Sequence, residues 1–450
     1  MSIEVLMRKL EQNPINTILS FNELVYSCND LIDEIRDCET FLENHEIKKG
    51  KCVNLIGDYS LSTIAMLIAL IRKKCVIVPT LPYDHDRKKR NLVSKILDFQ
   101  IEIVDNEPNI RATETNTLET HPLIEQLRQD DSCGLILFTS GTTGEPKGVV
   151  HNFDKLLRKF SENAETLKPF RSVTILLFDH WGGLNTLFHN LYSLGFLALI
   201  QDRKPETVAK AIEQHKLELL PASPSFINLF LISGVISKYD LKSLKWITYG
   251  AETMPESTLK RLNQLLPQVK LKQTYGLIEI GVLATKSQSD SSTLIKLGGK
   301  GYEIRVIDQQ LEIKAESSML GYLNAESPFT EDGFFKTGDY VEEHGEWIKI
   351  LGRKSNLIFT AGEKVHPSEV ESVILECEGV DDVLVFGKPN PLLGNIVSAI
   401  VKIGSSLDKE KVKKEILNTC RSKLSRIKVP MSIEFTHEDL FTMRLKKERR

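Results

Sequence analysis

The chain has 450 residues, enough for roughly two to four folding units at the usual span of about 150 residues per domain, which excludes a single small binding module. Hydrophobic residues make up 41% and charged residues 26%, with 26 Gly, the composition of a globular chain and not of a disordered, collagenous or membrane-embedded one. Lys and Arg number 58 against 61 Asp and Glu, so the net charge of -3 provides no field for nucleic acid or acidic lipid, and an anionic ligand needs a local site.

The opening residues 1–13 show no apolar run followed by a small-residue cleavage site, so no secretory signal is expected and the cytoplasm is the default compartment. Residues 61–71 form the longest uncharged apolar stretch, about half a bilayer crossing, and run into Arg72, Lys73 and Lys74. They predict a buried helix. From residue 52 to about 282, β-branched runs at 52–56, 75–79, 101–104, 135–139, 173–178, 196–200 and 246–249 alternate with helix-like segments. Such alternation predicts parallel sheets covered on both faces. After residue 297 the texture turns β-rich: runs at 302–307 and 311–315, separated by Asp308, Gln309 and Gln310, predict a hairpin. A β-hairpin-like stretch at 346–351 precedes Gly352 and Arg353, and Pro367, with Glu369 and Glu371 behind it, marks a helix start. The predicted domains are therefore 1–353 and 354–450. Seven cysteines, at 28, 38, 52, 75, 133, 377 and 420, are scattered without a C-x-x-C pair and read as reduced core residues.

The densest chemical signal is the run from Leu135 to Gly148. A buried strand enters Thr139, Ser140, Gly141, Thr142, Thr143 and Gly144 and ends on Pro146, Lys147 and Gly148. Glycines let backbone N–H groups crowd an anion, hydroxyls add donors and the ammonium supplies a point charge, which suits a polyphosphate. It is not a Walker A loop, because no Ser or Thr follows the lysine.

TSGTTGEPKGV resembles the phosphate loop of the AMP-forming adenylating superfamily of acyl-CoA synthetases, peptide-synthetase adenylation domains and luciferases. Further segments are similar in the same order: 20–24, 47–53, Tyr249 to Glu252, Gln273 to Glu279, Phe335 to Asp339, Leu351 to Arg353 and Gly362 to Glu371. The resemblance implies an α/β fold: a large N-terminal domain of two parallel-type αβαβα subdomains plus a small β-rich subdomain, followed by a small mobile α+β C-terminal domain. It implies a reaction in two steps. A carboxylate attacks the α-phosphate of ATP to give an acyl-adenylate and pyrophosphate, and a thiol then takes the acyl group.

By the same resemblance, Thr139, Ser140, Gly141, Thr142, Thr143, Gly144 and Lys147 cradle the β- and γ-phosphates. Glu279 holds Mg2+, Asp339 accepts both ribose hydroxyls, and Arg353 contacts ribose and phosphate. Gly250, Ala251, Glu252 and Tyr275 line the adenine slot. Lys447 is the catalytic lysine of the adenylation step, with the adjacent Lys446 leaving that choice open, and Ala361 and Gly362 lie on the face that admits the thiol. Departures are Ile278 where the superfamily usually has Thr, Ser355 at the hinge position, and Phe441 and Lys446 in place of Pro and Gly.

The segment Phe178-Asp179-His180-Trp181-Gly182-Gly183 resembles the acid-binding segment of acyl- and aryl-CoA ligases, with His180 at the substrate mouth. Aligning on the glycines puts His180, not Asp179, in the gating place, which favours an acid without an α-amino group. Pocket walls are expected from 181–187, 221–229 and 276–283, with Trp181, Gly182, Asn185, Phe226 and Gly276 among them; the set is mostly apolar and suits an aliphatic or aromatic acid. The acceptor is expected to be CoA. Two alternatives stand beside it: a stand-alone adenylation protein loading a carrier-protein phosphopantetheine, with an amino acid as one possible substrate, and a degenerate non-catalytic nucleotide-binding homologue. No nucleic-acid partner and no membrane span are expected.

Overall fold

The computed structural model describes residues 2–112, 121–140, 145–404 and 407–440, with residues 111, 112 and 140 described through their backbone alone. The described residues divide into two compact units. One comprises Met1–Pro221, Gly276–Val282 and Ala315–Phe335, the other Ala222–Tyr275, Leu283–Lys314 and Lys336–Arg450.

In the first unit, Gly134–Ser140, Val76–Thr80, Cys52–Ile56 and Phe99–Val104 run parallel in that spatial order, as the β-branched runs predict. The sheet as a whole is mixed. Pro146–Asn152 and Gly321–Tyr322 extend one edge and Glu107–Ala112 the other, all antiparallel. Each of these follows its partner through a connection too short for a crossover helix or arrives from a distant segment, so the alternation rule misses them. Val76–Thr80 is buried at every position, the signature of a sheet covered on both faces. The apolar stretch at 61–71 forms the helix Leu61–Arg72, capped by Ser60 and buried continuously from Ser62 to Ile71.

A second parallel group in this unit brings Arg171–Val173 between Phe196–Ala198 and Leu219–Ala222, with Thr17–Phe21 beyond. The strand predicted at 173–178 ends at Val173. Thr174 marks the change: its N–H still donates to the Ala198 carbonyl at 3.1 Å, but its hydroxyl accepts from the Ile200 N–H at 2.9 Å and has its one proton for the Ala198 or the Ile200 carbonyl, each 3.4 Å away. A side-chain oxygen takes the Ile200 N–H in place of a strand carbonyl, and residues 175–180 turn toward the helix Trp181–Ser193.

In the second unit, Trp246–Tyr249 pairs in parallel with Lys270–Gln273. A six-stranded sheet follows the order Ala284–Ser287, Leu294–Gly298, Trp347–Arg353, Phe335–His344, Gln310–Ala315 and Tyr302–Ile307. The predicted hairpin turns on Asp308 and Gln309, both left-handed at φ 49° and 64°, a two-residue turn that places Gln310 in the strand. After a single turn at Lys354–Asn356, a further sheet of Glu363–Val365, Ile358–Thr360, Gly394–Ile403, Val380–Asn390 and Ser432–Thr436 packs on the helices Pro367–Ile374 and Lys409–Lys423. Val370, Ile374, Val383, Val385, Val401 and Ile416 build its own core. The helix starts at Pro367 in its first turn, as its sequence predicts.

All seven cysteines are free and buried, in line with reduced core residues. No helix among the described residues is long and apolar enough to cross a membrane.

Candidate active site

The phosphate loop is the tip of a β-hairpin. Thr139 pairs with Lys147 and Ser140 with Pro146, so the two ends of the Gly/Thr-rich run are held in register and the lysine sits opposite the first hydroxyl residue. Gly141, Thr142, Thr143 and Gly144 lie outside the described residues. The outgoing strand is clamped by Asn324, whose Oδ1 accepts from the Gly148 N–H at 3.0 Å while its Nδ2 donates to the Pro146 carbonyl at 2.8 Å. The Lys147 ammonium lies 5.2 Å from the centre of the Tyr322 ring, close enough for cation–π attraction.

Tyr322 also donates its hydroxyl to Glu279 Oε1 at 2.9 Å. One tyrosine on the edge strand Gly321–Tyr322 thus touches both the predicted phosphate lysine and the predicted metal carboxylate. Glu279 is buried in the turn between the short paired strands Gly276–Leu277 and Gly281–Val282. Ile278 beside it is buried too and offers no hydroxyl, but its carbonyl is held at 2.7 Å by Nε2 of the buried His151. Burial lowers the His151 pKa to about 4, so the ring is neutral and Nε2–H donates. Tyr322, Asn324 and His151 were not anticipated, since no spacing or motif singles them out.

Glu279 offers oxygen ligation, and no group of three or more metal-binding side chains gathers among the described residues. A single carboxylate completed by phosphate oxygens and water fits Mg2+, which dehydrates reluctantly and is rarely caged by protein alone.

His180 is the N-cap of the helix Trp181–Ser193, with Nδ1 accepting from the Gly182 N–H at 3.2 Å. Its neighbour Asp179 is 2% exposed and paired with Lys89 at 3.0 Å; the same ammonium reaches Asp84 at 2.6 Å. The carboxylate that an amino-acid substrate would need is engaged by a buried cation. On the following helix, Trp181 is buried and Asn185 half-buried.

In the second unit, Tyr275 donates its hydroxyl to Asp339 Oδ2 at 2.6 Å, and Arg353 Nε stands 3.5 Å from Oδ1. The pairing is built by register, because Asp339 and Arg353 face each other across the Phe335–His344 and Trp347–Arg353 strands. The Thr337 hydroxyl donates to the Leu311 carbonyl at 2.7 Å and accepts from the Asp339 N–H at 3.0 Å. Burial raises the Asp339 pKa above its ordinary value, with Arg353 and Tyr275 opposing it. Tyr275 is pushed well up by burial and by that carboxylate, so it remains a donor.

Gly250 ends the strand Trp246–Tyr249, and a Cβ there would meet Thr274 Oγ1 at 2.5 Å and the Thr274 carbonyl at 2.7 Å. Ala251 follows in the left-handed region at φ 68°. Glu252 turns back to cap the helix Pro224–Ile232, accepting from the Ser225 hydroxyl at 2.6 Å and N–H at 3.1 Å. Its Oε2 is thereby engaged at the start of that helix. Phe226 is fully buried on that helix. Ala361 and Gly362, both left-handed, form the exposed turn between Ile358–Thr360 and Glu363–Val365. Lys446 and Lys447 lie outside the described residues.

The fold is that of the adenylate-forming enzymes. It is similar to the anthranilate CoA ligase AuaEII in complex with anthranoyl-AMP (TM-score 0.84, 17% identity, 99% of this chain and 95% of that one). It is likewise similar to ATP-bound MatB from Rhodopseudomonas palustris (TM-score 0.79, 20% identity, 96% and 95%). The AMP-binding enzyme family matches residues 84–334 and the AMP-binding enzyme C-terminal domain matches 369–447; the chain belongs to the AMP-binding enzyme family. Among its relatives, Acyl-CoA synthetase 7 of Caenorhabditis elegans is 33% identical over 338 residues, 68% of this chain and 62% of that protein. The match therefore spans less than two thirds of that relative's length. A 2-succinylbenzoate--CoA ligase of Listeria monocytogenes is 24% identical over 452 residues, covering 95% of this chain and 94% of that one.

Proposed function

We propose that the chain is an ATP- and Mg2+-dependent acid:thiol ligase that forms an acyl-adenylate and passes the acyl group to CoA. The observation that carries this reading is the buried Asp339, held by Tyr275 and Arg353: a carboxylate kept in place with acceptor capacity suits a vicinal diol, as ribose presents. Membership of a family whose relatives are named CoA ligases supports CoA as acceptor.

In this reading the acid's carboxylate oxygen attacks the α-phosphorus, the bond to the bridging oxygen breaks, and pyrophosphate leaves with the electron pair. Thr139, Ser140 and Lys147, with Gly141, Thr142, Thr143 and Gly144, receive the departing phosphates, and Tyr322 keeps Lys147 and Glu279 aimed. Glu279 would hold Mg2+, whose contribution is to neutralise phosphate charge. Lys447 would stabilise charge at the α-phosphate. Tyr275, Gly250 and Ala251 would seat the adenine, and Ala361 and Gly362 would line the thiol's approach after rotation of 354–450 about Ser355. The Asp179–Lys89 pair supports an acid without an α-amino group, and the seven buried free thiols support a reducing compartment such as the cytoplasm.

Acid-dependent exchange of labelled pyrophosphate into ATP over a broad acid panel tests the first half-reaction. Exchange with at least one acid, followed by acyl-CoA on adding CoA, is expected. No exchange with any acid would leave a non-catalytic nucleotide binder, and acylation of a holo-carrier but not of CoA would overturn the acceptor.

A further inference from the structure

Two donors lie near one another in the first unit: a lysine with no carboxylate partner among the described residues, and the indole N–H of Trp181, which stands on a predicted wall of the acid pocket. Lys159, in the last turn of the helix Phe153–Ser161, places its ammonium 5.6 Å from the centre of the Trp181 ring and 4.8 Å from that of Phe160. Its hydrogen-bond partner is a neutral amide, Asn185 Oδ1 at 2.5 Å, and burial lowers its pKa to about 7 with no charged neighbour offsetting the effect. Among the described residues no carboxylate is paired with it.

The second donor is the Trp181 indole N–H. Trp181 is 2% exposed, and Nε1 has no hydrogen-bond partner among the described residues. Nε1 faces Gly281: a Cβ built on that glycine would lie 3.5 Å from Nε1 and 3.4 Å from Ser317 Oγ. Gly281 has φ +85°, where a side chain is strained, so the chain stays bare beside the indole nitrogen. Ser317 is turned to the Ile280 carbonyl at 2.7 Å. Leaving a buried N–H without an acceptor costs about 1–3 kcal/mol, and a cation among aromatic rings is held well below its ordinary pKa unless an anion joins it. A purely apolar acid would leave both costs standing. A carboxylate relieves both.

We propose that the acid activated by this chain carries a second carboxylate at its far end, received by the Lys159 ammonium and the Trp181 indole N–H. The inference rests on the acid-ligase reading and narrows its substrate class from aliphatic or aromatic acids in general to dicarboxylic acids. Asn185 orients the ammonium, and the missing Cβ of Gly281 leaves a gap the size of one atom 3.5 Å from the indole nitrogen.

The test compares three matched acids of equal length, ending in carboxylate, in primary amide and in methyl, by pyrophosphate exchange with the full chain. The carboxylate member is expected to exceed the methyl member in kcat/KM by about tenfold or more, with the amide between them. In Lys159→Met this ratio falls toward unity; Lys159→Arg retains part of it, and Trp181→Phe, which keeps the ring and loses the N–H, lowers it partially. Equal use of the three acids by the unaltered protein, or a ratio unchanged in Lys159→Met, overturns the inference while leaving the ligase reading intact. Calorimetric titration of the same acids reads the preference without chemistry. If exchange is absent with every acid but calorimetry retains the Lys159-dependent preference, the ligase reading fails and the carboxylate subsite stands.

Discussion

The His151 ring donates Nε2–H to the Ile278 carbonyl at 2.7 Å, so a residue on the outgoing strand of the phosphate hairpin fixes the backbone immediately before Glu279. Replacing His151 by Ala removes the donor and leaves that buried carbonyl without it, at a cost of about 1–3 kcal/mol. A lower Tm and a weakened Mg2+ response are expected together, with His151→Gln recovering part of both. The folded pKa is depressed, so the unfolded chain binds more protons and stability is lost as pH falls from 6.5 toward about 4. Thermal melts across that window should show a shallower slope in His151→Gln.

Asp339→Asn keeps the shape of the side chain but loses the charge that faces Arg353 and the predicted ribose. The KM for ATP should rise by about tenfold or more, as expected for a lost charge-assisted bond. Because burial raises the Asp339 pKa, protonation begins above the ordinary carboxylate range. KM for ATP should therefore climb as pH falls, and that climb should be absent in Asp339→Asn.

Glu279→Gln should raise the Mg2+ concentration needed for half-maximal pyrophosphate exchange by about tenfold or more, since a charged oxygen ligand is exchanged for a neutral one. Tyr322→Phe keeps the ring, removes the 2.9 Å bond to that carboxylate and should move the same titration by about two- to tenfold. An unaltered Mg2+ titration in both variants would remove Glu279 from the metal site.

Gly250→Ala inserts a methyl group against the Thr274 backbone oxygen at 2.7 Å, where a flexible side chain cannot simply swing aside. A destabilisation of about 1–3 kcal/mol is expected, read as a lower Tm and a lower denaturation midpoint.

Lys447→Ala should reduce pyrophosphate exchange far more than thioester formation from supplied acyl-adenylate. If Lys446→Ala shows that split and Lys447→Ala does not, the catalytic lysine is Lys446.

Much of the site was legible in the sequence because its chemistry is local. The strand Gly134–Ser140 entering a Gly/Thr loop, the buried helix Leu61–Arg72 and the Pro367 helix start each follow from a dozen neighbouring residues. The Phe335–His344 and Trp347–Arg353 hairpin even brings Asp339 opposite Arg353 through short-range register. Where the reading failed, a single side chain had overridden propensity. Thr174 took the Ile200 N–H onto its own hydroxyl where the β-branched run predicted a continuing backbone ladder.

Composition and linear order were enough to establish a near-neutral α/β chain with a polyphosphate loop and a family resemblance along nearly its whole length. Which groups steady that chemistry is a tertiary matter. Tyr322 lies 43 residues from Glu279, His151 lies 127 from Ile278 and Lys159 lies 26 from Asn185. No helical or strand period connects such separations, because they are set by which segments share a sheet edge or a helix face. The phosphate loop is local and could be read directly; the buried hydrogen bonds around it exist only once distant backbone has been brought together and water removed.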